Sequence, residues 1–343
     1  MDEFLHFPSD EQKVYLEEAQ SKLNLPSATI EKDFWVTWTL RELFGLKEWG
    51  EHLTFKGGTS LSKAWKLIER FSEDIDIVID RDFLGFGGSN SPEQAPSRKQ
   101  REKRLESLKA VCRERIRDDL QPAFCSCVET ALPPDLRWSL MMAPVEEDAD
   151  QQTLLFHYPG VVAKDAAYQN PVVRIELGAR SDTEPNQSPI LRPLLSDAFP
   201  GLFSAPGFAA RTVAPRRTFW EKAMLLHEET YRPSDRKQKA RLARHYHDLW
   251  SMILKGVGNE ARSDLDLFYE IVAHREMFFN YTWLDYTTLQ PGSLRLVPPD
   301  EQISMWRSDY HSMRGEMFFG DPPTFDEILR VVGGFEREFN RGG

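Results

Sequence analysis

Cysteine is scarce, with only Cys112, Cys125 and Cys127 among 343 residues. Three cysteines cannot build a disulfide framework, and Cys125-x-Cys127 with a distant Cys112 lacks the paired spacing of a zinc site. No run of about 18 apolar residues occurs, so no membrane span is expected. The chain opens Met1-Asp2-Glu3-Phe4, acidic and without an apolar segment, so no secretory signal is expected either. These absences favour a reducing, cytoplasmic setting without a membrane partner. The Gly-x-Gly-x-x-Gly and Gly-Lys-Ser/Thr phosphate loops are both missing, which argues against dinucleotide-binding and P-loop NTPase readings. Internal repeats are missing as well.

What is present describes a globular chain, 41% hydrophobic and 28% charged, long enough to bury a large core and hold about two domains. A net charge of −11 at first opposes nucleic-acid binding. Its distribution does not. Arg98 to Arg117 holds nine Lys or Arg against three acids, and Arg211 to Arg244 holds ten against four. Such segregation fits a basic groove on an acidic body. The first window also carries Leu105, Leu108, Cys112, Ile116 and Leu120 at helical spacing, so its charges either solvate that helix or meet RNA. The second window contains Lys222 and is the expected RNA contact.

The densest chemistry lies at Lys56-Gly57-Gly58-Thr59-Ser60 and Arg70-Phe71-Ser72-Glu73-Asp74-Ile75-Asp76. Leu53-Thr54-Phe55 reads as a short strand. Gly57 and Gly58 permit backbone angles closed to other residues and let main-chain N–H groups approach a ligand. Leu61, Ala64, Trp65 and Ile68 follow at i, i+3, i+4, i+7, which predicts a helix whose start faces the glycine bend. Thr59 and Ser60 add hydroxyls there, and such a start favours phosphate. Next, Ile75, Ile77 and Ile79 alternate with Asp74, Asp76 and Val78, so a strand would place Asp74 and Asp76 on one face. Two neighbouring carboxylates repel unless a cation joins them, and Mg²⁺ prefers hard oxygen ligands shared with substrate phosphates. Each element alone is ordinary: glycine bends are common, and Asp-x-Asp often lies on a solvated strand. In this order they point to a triphosphate grip.

Gly57-Gly58-Thr59 with Asp74-x-Asp76 resembles the DNA polymerase β-like nucleotidyltransferase superfamily. The longer strings Lys-Gly-Gly-Thr-Ser-Leu-Ser-Lys and Arg-Phe-Ser-Glu-Asp-Ile-Asp resemble its AbiEii/AbiGii-type toxin branch. Glu31-Lys32-Asp33-Phe34-Trp35-Val36 is similar to that branch's N-terminal helix. Phe219-Trp220-Glu221-Lys222-Ala223 and Arg244-His245-Tyr246-His247-Asp248-Leu249 are similar to its downstream motifs. The likeness is thinnest over residues 85 to 160. It implies an α+β fold: a nucleotidyltransferase-type mixed sheet flanked by helices, with a mainly helical C-terminal lobe. It further implies Asp74 and Asp76 as metal-binding acids, with Mg²⁺ or Mn²⁺ as the ion. Gly58 and Thr59 match the family's phosphate-gripping turn, to which the reading of the bend adds Gly57 and Ser60; Lys222 would be a catalytic or nucleotide-contacting lysine, and Asp248 a further functional acid. Ser72 corresponds to a serine that some relatives phosphorylate for control by an antitoxin. Relatives add nucleotides to the 3′ end of tRNA.

Several positions carry two readings. Lys222 either neutralises triphosphate charge or snorkels at the surface. Asp248 either orients Lys222 or a base, or is a surface helix acid, or pairs with Arg244 at i−4. Val172 to Leu177 is the best strand for a third acid, Glu176, as metal ligand or general base; the ordinary alternative is an edge-strand Glu beside Arg174. Lys63 either reaches the γ-phosphate or is solvated, and Arg70 is expected to pair with a nearby acid. The C-terminal aromatics read chiefly as core, and the scattered histidines show no metal spacing.

Helices are expected over 9 to 45, strand–turn–helix–strand over 51 to 82, and a mobile loop over Gly85 to Pro96. A basic helix to about Leu120, short strands from 121 to 180, a loop-rich stretch to Pro206 and helices from Arg216 are expected next. The expected domains are 1–205, a nucleotidyltransferase domain with N-terminal helices, and 206–343, a helical domain contributing Lys222 and Asp248. The expected activity is transfer of a nucleoside monophosphate from an NTP to RNA by the toxin of a toxin–antitoxin pair, with a cognate antitoxin as partner. A protein or small-molecule acceptor, or a catalytically silent RNA- or partner-binding role, stands as the alternative.

Overall fold

The structure, a computed structural model, describes residues 1–70, 72–162, 171–236, 239–318 and 320–342, and of Glu316 the backbone only. Phe71, Phe319 and part of the turn expected at Ser234 to Lys239 lie outside the described residues. The chain divides into two compact units, Met1–Ala64 with Ser72–Thr212, and Trp65–Phe71 with Val213–Gly343.

The first unit opens with α1 (Asp2–Leu5), α2 (Ser9–Leu23) and α3 (Ser27–Gly45). Then follow β1 (Leu53–Lys56), α4 (Gly57–Lys63) and β2 (Ile75–Ile79). Helices α5 (Arg98–Arg115) and α6 (Gln121–Ala131) are joined through a π-helical turn, Ile116–Leu120. The longer strands after them are β3 (Ser139–Met142), β4 (Thr153–His157) and β5 (Val172–Gly178). Short pieces complete the unit: β6 (Asn186–Gln187), β7 (Ile190–Leu191), α7 (Leu194–Ala198), β8 (Phe208–Ala209) and β9 (Thr212–Val213).

The main sheet is mixed, in the order β3-β4-β5-β2-β1-β9-β6. Strand β2 runs antiparallel to β1 and parallel to β5. Register decides which residues share a face. Leu154 and Phe156 on β4, Val173, Ile175 and Leu177 on β5, Ile75, Ile77 and Ile79 on β2, and Leu53 and Phe55 on β1 line up as one apolar face. Helices α3 and α6 cover part of it: Phe156 stacks with Trp38 and meets Trp35 and Phe124 edge-on. The other face carries a polar rung through four strands, Thr153, Glu176, Asp76 and Lys56.

In the second unit, α8 (Pro215–Thr230), α9 (Arg244–Leu254), α10 (Val257–Arg262), α11 (Leu265–Phe278), α12 (Asp300–Met317) and α13 (Phe325–Arg341) form a helical assembly. Trp220 is its hub, packed against Phe219, Phe268, Phe335 and Phe339, with its indole N–H donated to the Ala261 carbonyl. Phe278, Tyr286, Trp306 and Tyr310 are buried, as the core reading of the aromatics expects.

Two local expectations fail. The apolar spacing through Ile68 predicts a longer α4, yet the helix ends at Lys63. Trp65 belongs to the second unit, where its indole donates to the Val213 carbonyl, and the Leu67 carbonyl there accepts from Ser251. Those tertiary bonds outweigh a weak periodicity. Residues 121–131 are helical rather than stranded: the π turn before Pro122 lets the helix continue where proline would ordinarily end it.

Candidate active site

The glycine bend is the first turn of α4. Gly57 has φ +76°, and a Cβ built there would lie 1.9 Å from Asp76 Oδ2. Only glycine allows the Asp76 carboxylate to press against that backbone. Lys56, the preceding residue, pairs with Asp76 across the β1–β2 ladder, and its Nζ donates to Ser181 Oγ at 2.7 Å. The Thr59 hydroxyl donates to the Asp74 carbonyl at 2.5 Å and lies 2.9 Å from Ser72 Oγ. That bond ties α4 to the start of the acidic strand. Ser60 turns inward and donates to the Gly57 carbonyl.

Asp76 and Glu176 are register partners on adjacent parallel strands. Strand β5 lies between β4 and β2, so Glu176 is not on an edge. Arg174, two residues earlier on the same face, donates to Glu176 at 3.0 Å and to Glu147 at 3.0 Å. Burial works against the Arg174 charge, but its bonds to Glu176 and Glu147 and the charge of Asp74 raise its pKa. Asp74, Asp76, Glu176 and Arg174 therefore belong to one electrostatic neighbourhood on the polar face.

Three consecutive residues of α3 converge on this region, and residue-by-residue reading did not find them. Lys32 Nζ pairs with Glu73 at 2.5 Å. Asp33 accepts from Lys63 Nζ at 2.5 Å and from the Leu194 amide at 2.7 Å. Glu31 accepts from the amides of Val161 and Val162 at 2.6 and 3.3 Å. Lys63 is thus buried, and its solvated alternative does not hold. The available signal was three charges in a row on a helix that is otherwise apolar and aromatic.

A second cluster lies within the second unit. Arg70 forms a two-pronged pair with Asp248, Nε to Oδ1 at 2.7 Å and a terminal nitrogen to Oδ2 at 2.8 Å. Lys222 Nζ lies 2.9 Å from Asp248 Oδ2 and 3.2 Å from His245 Nδ1. All the charged members are buried. Lys222 is therefore no snorkelling surface lysine, and Asp248 meets Arg70 rather than Arg244. Burial lowers the Lys222 pKa and Arg70 adds to that, against the pull of Asp248. Burial would raise the Asp248 carboxyl, but Arg70 and Lys222 hold it well below its usual range. Burial, with Lys222 beside it, keeps the His245 ring neutral. Its Nδ1 then accepts from the ammonium.

Comparison with known proteins follows the same line. The family described as "Nucleotidyl transferase AbiEii toxin, Type IV TA system" matches residues 38–331. No curated protein matches the chain. Among solved structures, JHP933 from Helicobacter pylori is similar at 13% identity, with 90% of each chain covered and a TM-score of 0.40. MenT4, a nucleotidyltransferase toxin from Mycobacterium tuberculosis H37Rv, is similar at 16% identity, covering 94% of this chain and 87% of that one, with a TM-score of 0.47. The family match spans most of the chain, and this protein accordingly belongs to the AbiEii nucleotidyltransferase toxins of type IV toxin–antitoxin systems.

Proposed function

We propose that the protein transfers a nucleoside monophosphate from an NTP to a ribose hydroxyl of RNA, at the 3′ end of a tRNA, and releases pyrophosphate. One observation carries the reading: the Asp76 carboxylate rests against Gly57 while Glu176 stands in register beside it, and Asp74, just ahead of β2, lies close enough for its charge to act on Arg174. Among the described residues no three His, Cys, Asp or Glu form a metal cage by themselves. The donor set instead suits an ion that keeps substrate oxygens in its shell, as Mg²⁺ and Mn²⁺ do with hard carboxylate ligands. Asp74 and Asp76 would hold it, and when bound it would supply charge neutralisation at the reacting phosphorus and the departing oxygens.

The chain's own share is positional and electrostatic. Gly57, Gly58, Thr59 and Ser60 form the turn assigned to the phosphates. Thr59 and Ser60 spend their hydroxyls on Asp74 and Gly57 carbonyls, so their part comes through main-chain N–H groups. Lys63 as a phosphate ligand would first have to leave Asp33. Glu176 is assigned as third acid or as base toward the attacking hydroxyl, and serves either role by exchanging Arg174. Lys222 is assigned to triphosphate charge and Asp248 to holding Lys222. Ser72 is assigned as a phosphate acceptor through which the antitoxin controls the enzyme: a doubly charged group there would disturb Thr59 and Asp74.

The test is labelling of total tRNA with radioactive NTP. Asp76→Ala should lose at least about 100-fold in rate, the cost expected when the reacting geometry is lost, with its circular dichroism unchanged. Labelling at the wild-type rate rejects the assignment. Label on protein or on a small molecule, with none on RNA, redirects it to another acceptor.

A further inference from the structure

The grip assigned above has two halves that the sequence separates: α4 from Gly57, and the acidic strand from Asp74. The Thr59–Asp74 bond joins them at one point. Two further ionic contacts arise from adjacent residues of one helix. Asp33 binds Lys63, the last residue of α4, and Lys32 binds Glu73, the residue immediately before Asp74. Lys63 Nζ also reaches the Arg192 carbonyl, and Asp33 also takes the Leu194 amide, so the ionic contact is anchored at both ends.

We infer that Lys32 and Asp33 are positioning residues that together set the spacing between the phosphate turn and the metal-binding carboxylates. The inference rests on the reading of Gly57–Ser60 and Asp74/Asp76 as nucleotide and metal grip. Its physical basis is the cost of the arrangement. Lys32 is 4% exposed and Lys63 8%. Burying ion pairs rarely improves stability over apolar residues of similar size, because desolvation offsets the attraction. An apolar α3 would pack at least as well. What charges add is a short contact at a fixed place: Lys32 meets Glu73 and Asp33 accepts from Lys63, each at 2.5 Å, and both contacts hang from one stretch of helix. A shift of α4 relative to Glu73 must break one of them. Neither Lys32 nor Asp33 needs to touch substrate for this, and both act through Glu73 and Lys63.

The experiment compares wild type with Lys32→Met, Asp33→Asn, Glu73→Gln and the Lys32→Met/Glu73→Gln double variant. Three quantities are measured: Mg²⁺·ATP and Mg²⁺·CTP binding by titration calorimetry, the Mg²⁺ concentration for half-maximal tRNA labelling, and amide exchange over 57–60 in protein free of metal and nucleotide. Each single variant should bind Mg²⁺·NTP at least about fivefold more weakly and need at least about threefold more Mg²⁺. Exchange at 57–60 should quicken while the sheet amides stay protected. The double variant should be no worse than the poorer single, since both residues serve one contact. Folded variants with wild-type NTP affinity, Mg²⁺ requirement and 57–60 exchange overturn the inference. So does exchange that quickens equally over the whole unit, the mark of general destabilisation. Wild-type protein that labels no RNA but binds Mg²⁺·NTP rejects the proposed acceptor while the binding and exchange series still decides this point. Wild-type protein that binds no Mg²⁺·NTP overturns both.

Discussion

At Gly57 the absent side chain is a requirement of the site. An alanine there would combine φ +76° with a Cβ 1.9 Å from Asp76 Oδ2, so either the backbone or the carboxylate must move. Gly57→Ala should therefore cut nucleotidyl transfer by at least about 100-fold, the order expected when a reacting group is displaced by about an ångström. Steady-state kinetics on the folded variant checks this, and a loss under about threefold would show that the carboxylate tolerates the shift. Glu31 carries a different consequence. Burial lifts its carboxyl from 4.5 to about 7, against the amides of Val161 and Val162, which favour the charged form. Its folded pKa is raised, so the folded chain holds a proton that the unfolded chain has released between those values. The associated stability is full below pH 4.5 and fades as pH climbs through 7, by roughly 3 kcal/mol in all. Urea midpoints from pH 5 to 8 should decline for wild type and show a shallower slope for Glu31→Gln; equal slopes would remove Glu31 as the cause. How legible these residues were depends on range. Gly57 and Asp76 announce themselves because turn chemistry and strand alternation are local. Asp33–Lys63 is invisible at this level because a partner 30 residues away is chosen by packing alone.

Elements were readable where one period dominates. Strand β2 alternates isoleucine with acid, and its registers with β1 and β5 then put Asp76 and Glu176 side by side. Helix α8 buries its expected apolar residues Phe219, Trp220, Ala223 and Leu226, whereas of the stripe expected on α9, Tyr246, Leu249, Trp250 and Ile253, only the first two are buried. The misreadings arise where a period is weak or a breaker is absorbed. Helix α4 stops short because Trp65 and Leu67 belong to the second unit and take their partners within it, and α6 survives a proline through one wide turn. Between α8 and α9 the Lys222–Asp248–Arg70 cluster makes a sharp prediction. Asp248→Asn keeps the shape but leaves a guanidinium and an ammonium buried together. The second unit should lose about 3–5 kcal/mol, the usual cost of stranding a buried charge. Urea unfolding followed by far-UV circular dichroism measures it, since the helices of this unit dominate its signal, and a change below about 1 kcal/mol would mean that water reaches the cluster.

Across the whole molecule, the division of labour differs from a simple split of the sequence. The carboxylates and the glycine turn belong to one unit, while Lys222, Asp248 and Arg70 belong to the other. Arg70 is only four residues from Asp74 in sequence, yet Trp65–Phe71 is counted with the C-terminal half. That detour also has a temporal side. Arg70 leaves the ribosome 178 residues ahead of the aspartate that neutralises it. At about 5–20 residues per second, the arginine waits roughly 10–40 s for its counter-ion. A translation product that stops between residues 70 and 248 therefore carries Arg70, and past residue 222 also Lys222, without the aspartate that receives them. The complete cluster is reserved for chains whose synthesis has passed residue 248.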